Sequence, residues 1–201
     1  MAIKTGQLKK AAALLYEVGT MRKIARAHRQ TLLTDDLSDN ISSHSYRTIW
    51  IGWVLATLEK ADTGKVIKMC LSHDIAEVRS NDQNWVHKKY VKVFEDEIIN
   101  DQLKNLPIEK ELSEISKEYG ERKSNEAKIA KDADLIDQIL LLKEYSWQGN
   151  KEAEDWLGGR KGKRNMQYKL LTTASAKKLA DEIFRQNPSD WWRNNWTEKR
   201  R

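Results

Sequence analysis

The stretch Ser72-His73-Asp74-Ile75-Ala76-Glu77 decides how the rest of the chain is interpreted, and it follows an apolar segment that begins at Val66. The adjacent histidine and aspartate offer an imidazole nitrogen and a carboxylate oxygen, which are good ligands for a divalent first-row metal. Glu77 comes three residues after Asp74, so on a helix the two carboxylates share a face, and one can hold a metal while the other acts on water. The dipeptide occurs by chance in many proteins, so the prediction depends on further ligands elsewhere.

Two further residues supply those ligands. His44 stands at the start of a predicted helix over residues 43–60, and Asp134 stands within a predicted helix over residues 124–145. With the histidine and aspartate of the motif they make a set of two histidines and two carboxylates from three helices. Such a set leaves positions open for water and substrate oxygens, as a hydrolytic metal site requires.

Other polar residues of these segments have simpler interpretations. Asp132 and Asp137 compete with Asp134, the first as a solvated helix charge and the second as a residue that supports a ligand. His28 and His87 are assigned no functional role. Cys70 is interpreted as a small buried hydrophobic residue.

Length and composition favour one helical domain. The chain has 201 residues, of which 39% are hydrophobic and 33% charged, enough to bury a substantial core. Two prolines and nine glycines impose few breaks, and no strand alternation is present, so an all-α fold is expected. Helices are predicted at about residues 8–29, 43–60, 66 to the motif, 85–105, 107–119, 124–145 and 173–186.

Charge and cysteine content indicate the compartment and the class of partner. The sequence contains neither an apolar run long enough to span a membrane nor an N-terminal signal peptide, and its one cysteine suits a reducing cytosol, so a cytoplasmic protein without membrane contact is expected. The net charge is +6, and basic residues concentrate in residues 1–30 and in Arg160–Arg164. Basic patches favour phosphates on a nucleotide or a nucleic acid, although solubility and a flexible loop explain them equally well.

In this order and spacing, the motifs resemble the HD-domain metal-dependent phosphohydrolases, most closely their 5′-deoxynucleotidase branch. That branch has a Ser-x-His-Ser histidine, then His-Asp-x-x-Glu, then an Ala-Asp aspartate. The corresponding segments here are Ile41-Ser42-Ser43-His44-Ser45, residues 73–77 and Lys131-Asp132-Ala133-Asp134. The loop Ser80-Asn81-Asp82 looks like the family's Gly-Asp turn with asparagine in place of glycine. The similarity runs from about residue 8 to about residue 185.

The resemblance implies a compact HD-domain helical bundle over residues 1–187 and assigns roles to the motif residues. The four implied ligands of the divalent metal are His44, His73, Asp74 and Asp134. The metal can be Mn, Co, Mg, Fe or Zn, because a mixed nitrogen and oxygen set accepts several ions. Glu77 would be the catalytic acid/base that acts on water, and Asp82 would be a further acid of the catalytic site.

Arg29 is the implied substrate-binding residue. It lies fifteen residues before His44, where the resemblance places an arginine that contacts substrate, and its fork can hold a phosphate at two places. Arg22 and Arg26 are rivals in the same basic segment. The family's arginine is usually followed by tryptophan, whereas Gln30 stands here, so a preference for deoxyribose over ribose does not follow.

Residues 188–201 form a basic C-terminal tail that contains Trp191, Trp192 and Trp196. Exposed tryptophans indicate docking onto the domain or onto a partner subunit, with base stacking as a weaker alternative. Trp50 and Trp53 are interpreted as core or dimer contacts. Because the resembled family often forms dimers, a homodimer is expected.

The expected function is hydrolysis of a (deoxy)nucleoside 5′-monophosphate to nucleoside and phosphate. A first alternative keeps the same metal site but releases triphosphate or pyrophosphate from a nucleoside triphosphate. A second alternative is a catalytically weak module that binds nucleotides or nucleic acid, motivated by the basic first helix and by the basic loop near residues 160–164.

Overall fold

The computed structural model describes residues 5–158, 165–193 and 195, and every regular element in that part of the chain is a helix. The all-α prediction is confirmed. In chain order the elements are α1 (Thr5–Gly19), a 3₁₀ turn (Thr20–Lys23), α2 (Arg29–Leu32), α3 (Ile41–Glu59), α4 (Thr63–Ser72), α5 (Glu77–Ser80), α6 (Trp85–Tyr90), α7 (Glu95–Leu103), α8 (Glu109–Glu121), α9 (Asn125–Trp147), α10 (Lys151–Gly158), α11 (Met166–Leu170), α12 (Ala174–Arg185) and α13 (Asp190–Arg193). None of the described helices combines the length and apolar character needed to span a membrane.

Helix α9 forms the centre of the bundle, because it packs against α3, α4, α8, α10, α11 and α12. One face of α9 is apolar and fully buried, with Ile129, Ala133 and Ile136 in the main core. The same helix carries Asp134, so the predicted ligand sits on the element that the core holds most firmly.

Helices α3 and α4 approach each other closely at Gly52. A Cβ atom added there would lie 2.6 Å from Sγ of Cys70 and 3.1 Å from Cγ1 of Val66, so only glycine fits. Cys70 is fully buried, as predicted. This contact holds the segment that contains His44 against the segment that contains His73.

Side chains at the helix starts satisfy backbone N–H groups that would otherwise lack partners. Asn40 accepts a hydrogen bond from Ser43 N–H, Ser124 accepts one from Ala127 N–H, and the Thr173 hydroxyl accepts one from Ala176 N–H. These caps explain why α9 and α12 begin within a residue or two of their predicted starts.

The predicted first helix over residues 8–29 is wrong beyond Gly19. The chain passes through the 3₁₀ turn into extended backbone at Ile24, and Ala25 forms an isolated β-bridge with Asn40. The predicted helix over 85–105 is split as well, because the chain is extended at Val91, where a β-branched residue favours that backbone.

After α7 the structure differs less from the prediction. Helix α8 continues through Gly120 instead of ending before it, and α10 forms where the apolar pattern is weak. The basic segment at residues 160–164 and Trp196 lie outside the described residues. In the predicted tail, Trp191 is 76% exposed and Trp192 is 49% exposed.

Trp50 and Trp53 are not core residues. They are 51% and 45% exposed on α3, and their rings stack with centroids 5.6 Å apart. Tyr46 extends the row with an edge contact to Trp50 at 6.5 Å. The alternative interpretation of these residues as dimer contacts stays a prediction.

Candidate metal centre

Two histidine side chains meet at the junction of α3, α4 and α9. Nε2 of His44 lies 3.1 Å from Nε2 of His73, and both side chains are almost completely buried. His44 is in the first turn of α3, and His73 directly follows the last residue of α4. The helix ends therefore bring together two imidazoles that are 29 residues apart in the chain.

Two carboxylates complete the cluster. Oδ2 of Asp74 lies 3.3 Å from Nε2 of His44 and 3.2 Å from Nε2 of His73. Oδ1 of Asp134, from α9, lies 3.4 Å from Nε2 of His44. Potential ligand atoms of His44, His73 and Asp134 all lie within 4.8 Å of one another. All four predicted metal ligands are thus brought together.

The Nδ1 atom of each imidazole, on the side away from the cluster, makes a hydrogen bond that orients the ring. Nδ1 of His44 lies 2.6 Å from Oδ2 of Asp137, and Nδ1 of His73 lies 2.9 Å from the carbonyl oxygen of Cys70. When both Nδ1 atoms donate to these oxygens, the Nε2 lone pairs face each other and the carboxylates. Such a group of acceptors attracts a proton or a cation, and its nitrogen and oxygen atoms suit a divalent metal.

The pKa values of the cluster reflect the same charge distribution. Burial and Arg26 oppose protonation of His44, but hydrogen bonds with Asp134, Asp137 and Asp74 outweigh them and raise its pKa well above the usual value. Burial works against ionisation of Asp74, yet His73 and His44 hold its pKa well below normal. The cluster therefore attracts positive charge.

The pKa of Glu77 is raised, whereas that of Asp74 is lowered. The backbone turns between Asp74 and α5 by i→i+3 hydrogen bonds, including Glu77 N–H to Asp74 O at 3.0 Å, so the predicted shared face is kept although no continuous helix runs through the motif. Burial, followed by repulsion from Asp74 and Asp82, raises the pKa of Glu77 to about 9. Its Oε2 is buried without a hydrogen-bond partner. This carboxyl group can hold a proton near neutral pH.

Arg26, which sequence analysis named only as a rival of Arg29, lies at the centre of the site. Its Nη1 is 3.1 Å from Oδ2 of Asp74, and its Nε is 3.4 Å from Oδ2 of Asp82. Asp82 also accepts a hydrogen bond of 2.7 Å from the N–H of Ala27. Asp82 thus contacts the segment that carries Arg26, and among the described residues no hydrogen bond or ion pair joins it to either histidine.

Arg29 begins α2 and lines a shallow surface depression together with Gln30, Leu33, Thr34 and Asp35. Among the described residues, no hydrogen bond or ion pair joins Arg29 to the four predicted ligands, and its Nε is buried without a partner. Its role in binding substrate stays a prediction.

Two other acids of α9 have clear functions in the fold. Asp137 accepts from Nε of Arg47 at 2.5 Å as well as from His44, as expected for a residue that supports a ligand. Asp132 is not a solvated charge: it is fully buried and accepts hydrogen bonds from the N–H and hydroxyl groups of Thr172 and Thr173.

A cleft of about 680 Å³ opens beside His44 and is lined by Arg47, Trp50, Glu144 and Tyr145 among others. These residues adjoin the Nδ1 edge of His44, since Arg47 and Asp137 lie on that side. The cleft therefore lies behind His44 and away from the Nε2 atoms that face the cluster.

Comparison with known proteins agrees with this arrangement. A family model described as HD domain matches residues 20–174. The 5′-deoxynucleotidase HDDC2 of Dictyostelium discoideum is 31% identical over 125 residues, which cover 56% of this chain and 66% of that protein. The 5′-deoxynucleotidase HDDC2 of Mus musculus is 30% identical over 118 residues, covering 56% of this chain and 59% of that protein. The matched region therefore spans less than two thirds of either relative.

A solved structure extends the likeness to nearly the whole bundle. The crystal structure of a protein from Pyrococcus horikoshii OT3 superposes with a TM-score of 0.66 and 26% identity. The match covers 87% of this chain and 98% of that chain. The architecture around the histidine and aspartate cluster is therefore one that occurs in other proteins.

Proposed function

The chain belongs to the HD domain family, and from this premise we propose that it is a metal-dependent phosphohydrolase that acts on nucleotides. The observation that carries the proposal is the convergence of His44, His73, Asp74 and Asp134 beside the buried acid Glu77. Two curated relatives are named 5′-deoxynucleotidases, which supports a deoxynucleoside 5′-monophosphate as substrate and nucleoside and phosphate as products.

We assign the metal to the four convergent side chains. A divalent ion bound there would act as a Lewis acid toward a phosphoryl oxygen and toward water. Mn, Co, Mg, Fe and Zn all accept such a mixed set of ligands. Asp137 and the Cys70 carbonyl fix the two imidazoles so that Nε2 is the ligand atom in each.

The remaining residues move protons and balance charge. Glu77, in the turn that follows the predicted ligand Asp74, can hold a proton on its carboxyl group and donate it to the leaving 5′ oxygen. The guanidinium group of Arg26 carries positive charge next to Asp74. There it can pair with a phosphoryl group of the substrate. We propose Asp82 as a positioning residue for Arg26 instead of a group that touches substrate.

A turnover panel tests the proposal. The protein is loaded in turn with Mn, Co, Mg or Zn and incubated with deoxy- and ribonucleoside mono- and triphosphates, and the products are separated by chromatography. A His73→Ala/Asp74→Ala variant serves as the blank. Phosphate released from monophosphates by the wild type alone is the expected result. Triphosphate or pyrophosphate as product would transfer the assignment to a triphosphohydrolase, and no turnover with any metal would reject a nucleotide hydrolase.

The proposal includes the oligomeric state, which we expect to be a homodimer. The row of Tyr46, Trp50 and Trp53 is exposed on one face of α3, as a subunit contact would require, so we propose that two copies of the chain associate through it. Sedimentation of the wild type and of a Trp50→Ala/Trp53→Ala variant checks this, and a dimer in both would exclude this face of α3 as the subunit contact.

The free, buried Cys70 suits the cytoplasm that we propose as the compartment.

A further inference from the structure

A second arginine, Arg122, lies near the predicted metal centre, directly after the end of α8. Helix α8 ends at Glu121, and the next residue, Arg122, adopts left-handed backbone with φ of 55° while its N–H donates to the carbonyl of Glu118. A non-glycine residue adopts this conformation at a local cost, which the fold sustains here at the end of the helix.

The Arg122 side chain is stacked on an aromatic ring that touches a predicted ligand. Its guanidinium carbon lies 3.4 Å from the ring centroid of Tyr119. The Tyr119 ring in turn makes an edge contact with the ring of His73, with centroids 5.7 Å apart. The guanidinium is therefore separated from a metal-binding imidazole by a single ring. Stacking on an aromatic face restricts the arginine fork to one plane, so little flexibility is left to lose when it binds a partner.

Two other cations at the site, Arg26 and Lys131, are paired with its carboxylates, whereas within the described residues no ion pair joins Arg122 to an acid. Arg26 is paired with Asp74, and Lys131 with Asp134 at 2.6 Å. The acids nearest to Arg122 in sequence, Glu118 and Glu121, are paired with Lys65 and Lys123 instead. Nη1 of Arg122 is buried without a hydrogen-bond partner. A buried donor without an acceptor is unfavourable unless a ligand supplies that acceptor.

We propose that Arg122 is a substrate-binding residue that donates hydrogen bonds to the non-bridging oxygens of the phosphoryl group held at the metal centre. The inference rests on the proposed function for the position of that phosphate. It adds a phosphate contact from the end of α8, a part of the chain distant in sequence from Arg26. A planar guanidinium matches the oxygens of a phosphate in two places, and the stack on Tyr119 presents it in a fixed plane.

Binding of inorganic phosphate to the metal-loaded full chain, measured by calorimetry, tests the contact without requiring turnover. Arg122→Gln should weaken phosphate binding at least about tenfold, and Arg122→Lys should recover part of it. The matched control is Lys123→Gln, which removes the neighbouring positive charge from a side chain that is 81% exposed and should leave phosphate binding unchanged. Tyr119→Leu should weaken binding by removing the stacking surface, and by more than Tyr119→Phe, which keeps the ring and loses only the hydroxyl contact with Arg122.

Two further readouts separate a phosphate contact from a structural role. Metal affinity of Arg122→Gln should equal that of the wild type, and where turnover is found KM should rise more than kcat falls. Unchanged phosphate affinity in Arg122→Gln overturns the inference, and so does a loss of metal affinity as large as the loss of phosphate affinity. A protein that binds phosphate through Arg122 yet hydrolyses no nucleotide would reject the proposed function and leave this contact standing.

Discussion

The buried carboxyl group of Glu77 provides a test of the electrostatics of the site in the absence of metal. Burial and the neighbouring Asp74 and Asp82 raise its pKa to about 9, whereas an ordinary glutamate has a value of 4.5. The substitution Glu77→Gln keeps the shape of the side chain and removes its titration. The pH dependence of the difference in stability between the variant and the wild type therefore reports the titration of Glu77 together with its repulsion from Asp74 and Asp82.

The sign follows from proton binding. In the folded protein Glu77 keeps its proton up to about pH 9, but in the unfolded chain it releases the proton above about pH 4.5. Its contribution to stability is complete below the unfolded pKa and is lost as the pH rises through this window. Each pH unit removes up to about 1.4 kcal/mol from the free energy of unfolding, so roughly 3 kcal/mol is lost between about pH 6 and about pH 8. Glutamine loses nothing over that range.

Urea denaturation of the metal-free protein, in the presence of a chelator, measures the free energy of unfolding at three pH values across this window. The stability of Glu77→Gln relative to the wild type should increase with pH by roughly the amount above. The same substitution at Glu114, an exposed residue of α8, serves as the matched control, because it removes a carboxyl group that stands in solvent. A flat difference for Glu77→Gln, or one that decreases with pH, would refute the argument that Glu77 is buried as a neutral acid.

Four other substitutions test the fold around the site. Gly52→Ala should destabilise the protein by about 1–3 kcal/mol in urea denaturation because its Cβ meets Cys70 Sγ at 2.6 Å, whereas Gly120→Ala, where nothing lies within 4 Å, should stabilise it by about 0.5–1 kcal/mol. Asp137→Asn should weaken metal binding about 10–100-fold in competition with a chelator, because it weakens the hydrogen bond at Nδ1 that orients the ring of His44. Asp132→Ala should cost at least about 2 kcal/mol, again by urea denaturation, because it leaves the backbone start of α12 without its acceptor.

The features that sequence analysis predicted correctly are those that local patterns encode. Apolar residues at helical spacing and a capping serine place α9 at Asn125–Trp147, against a prediction of about 124–145. The order of the histidine and aspartate motifs is a property of the sequence itself. Their meeting in space agrees with the expectation, because each motif lies at a helix end or on a helix face that the bundle turns inward.

The segment between α1 and α3 could not be predicted in this way, because contacts distant in sequence determine it. Helical periodicity continues past Gly19, but the chain leaves the helix so that Arg26 reaches Asp74, 48 residues away. The spacing that selected Arg29 assumes a fixed length for the irregular stretch before α3. A difference of three residues in that loop would bring Arg26 instead of Arg29 to a given point, and loops tolerate such changes easily.

Residues without charge determine much of the site, and no motif indicates them. A Cβ added to Gly52 would meet Cys70, Val66 and, at 3.7 Å, Ala133, so three helices converge at a single glycine. The carbonyl of Cys70 anchors the ring of His73, and Ala133 directly precedes a predicted ligand. The distance between the two imidazoles is therefore set by how closely α3 and α4 pack, and a core substitution that separates these helices must also separate the ligands. For that reason we expect Gly52→Ala to lower metal affinity together with stability, whereas Gly120→Ala, which touches neither helix, should leave metal affinity unchanged.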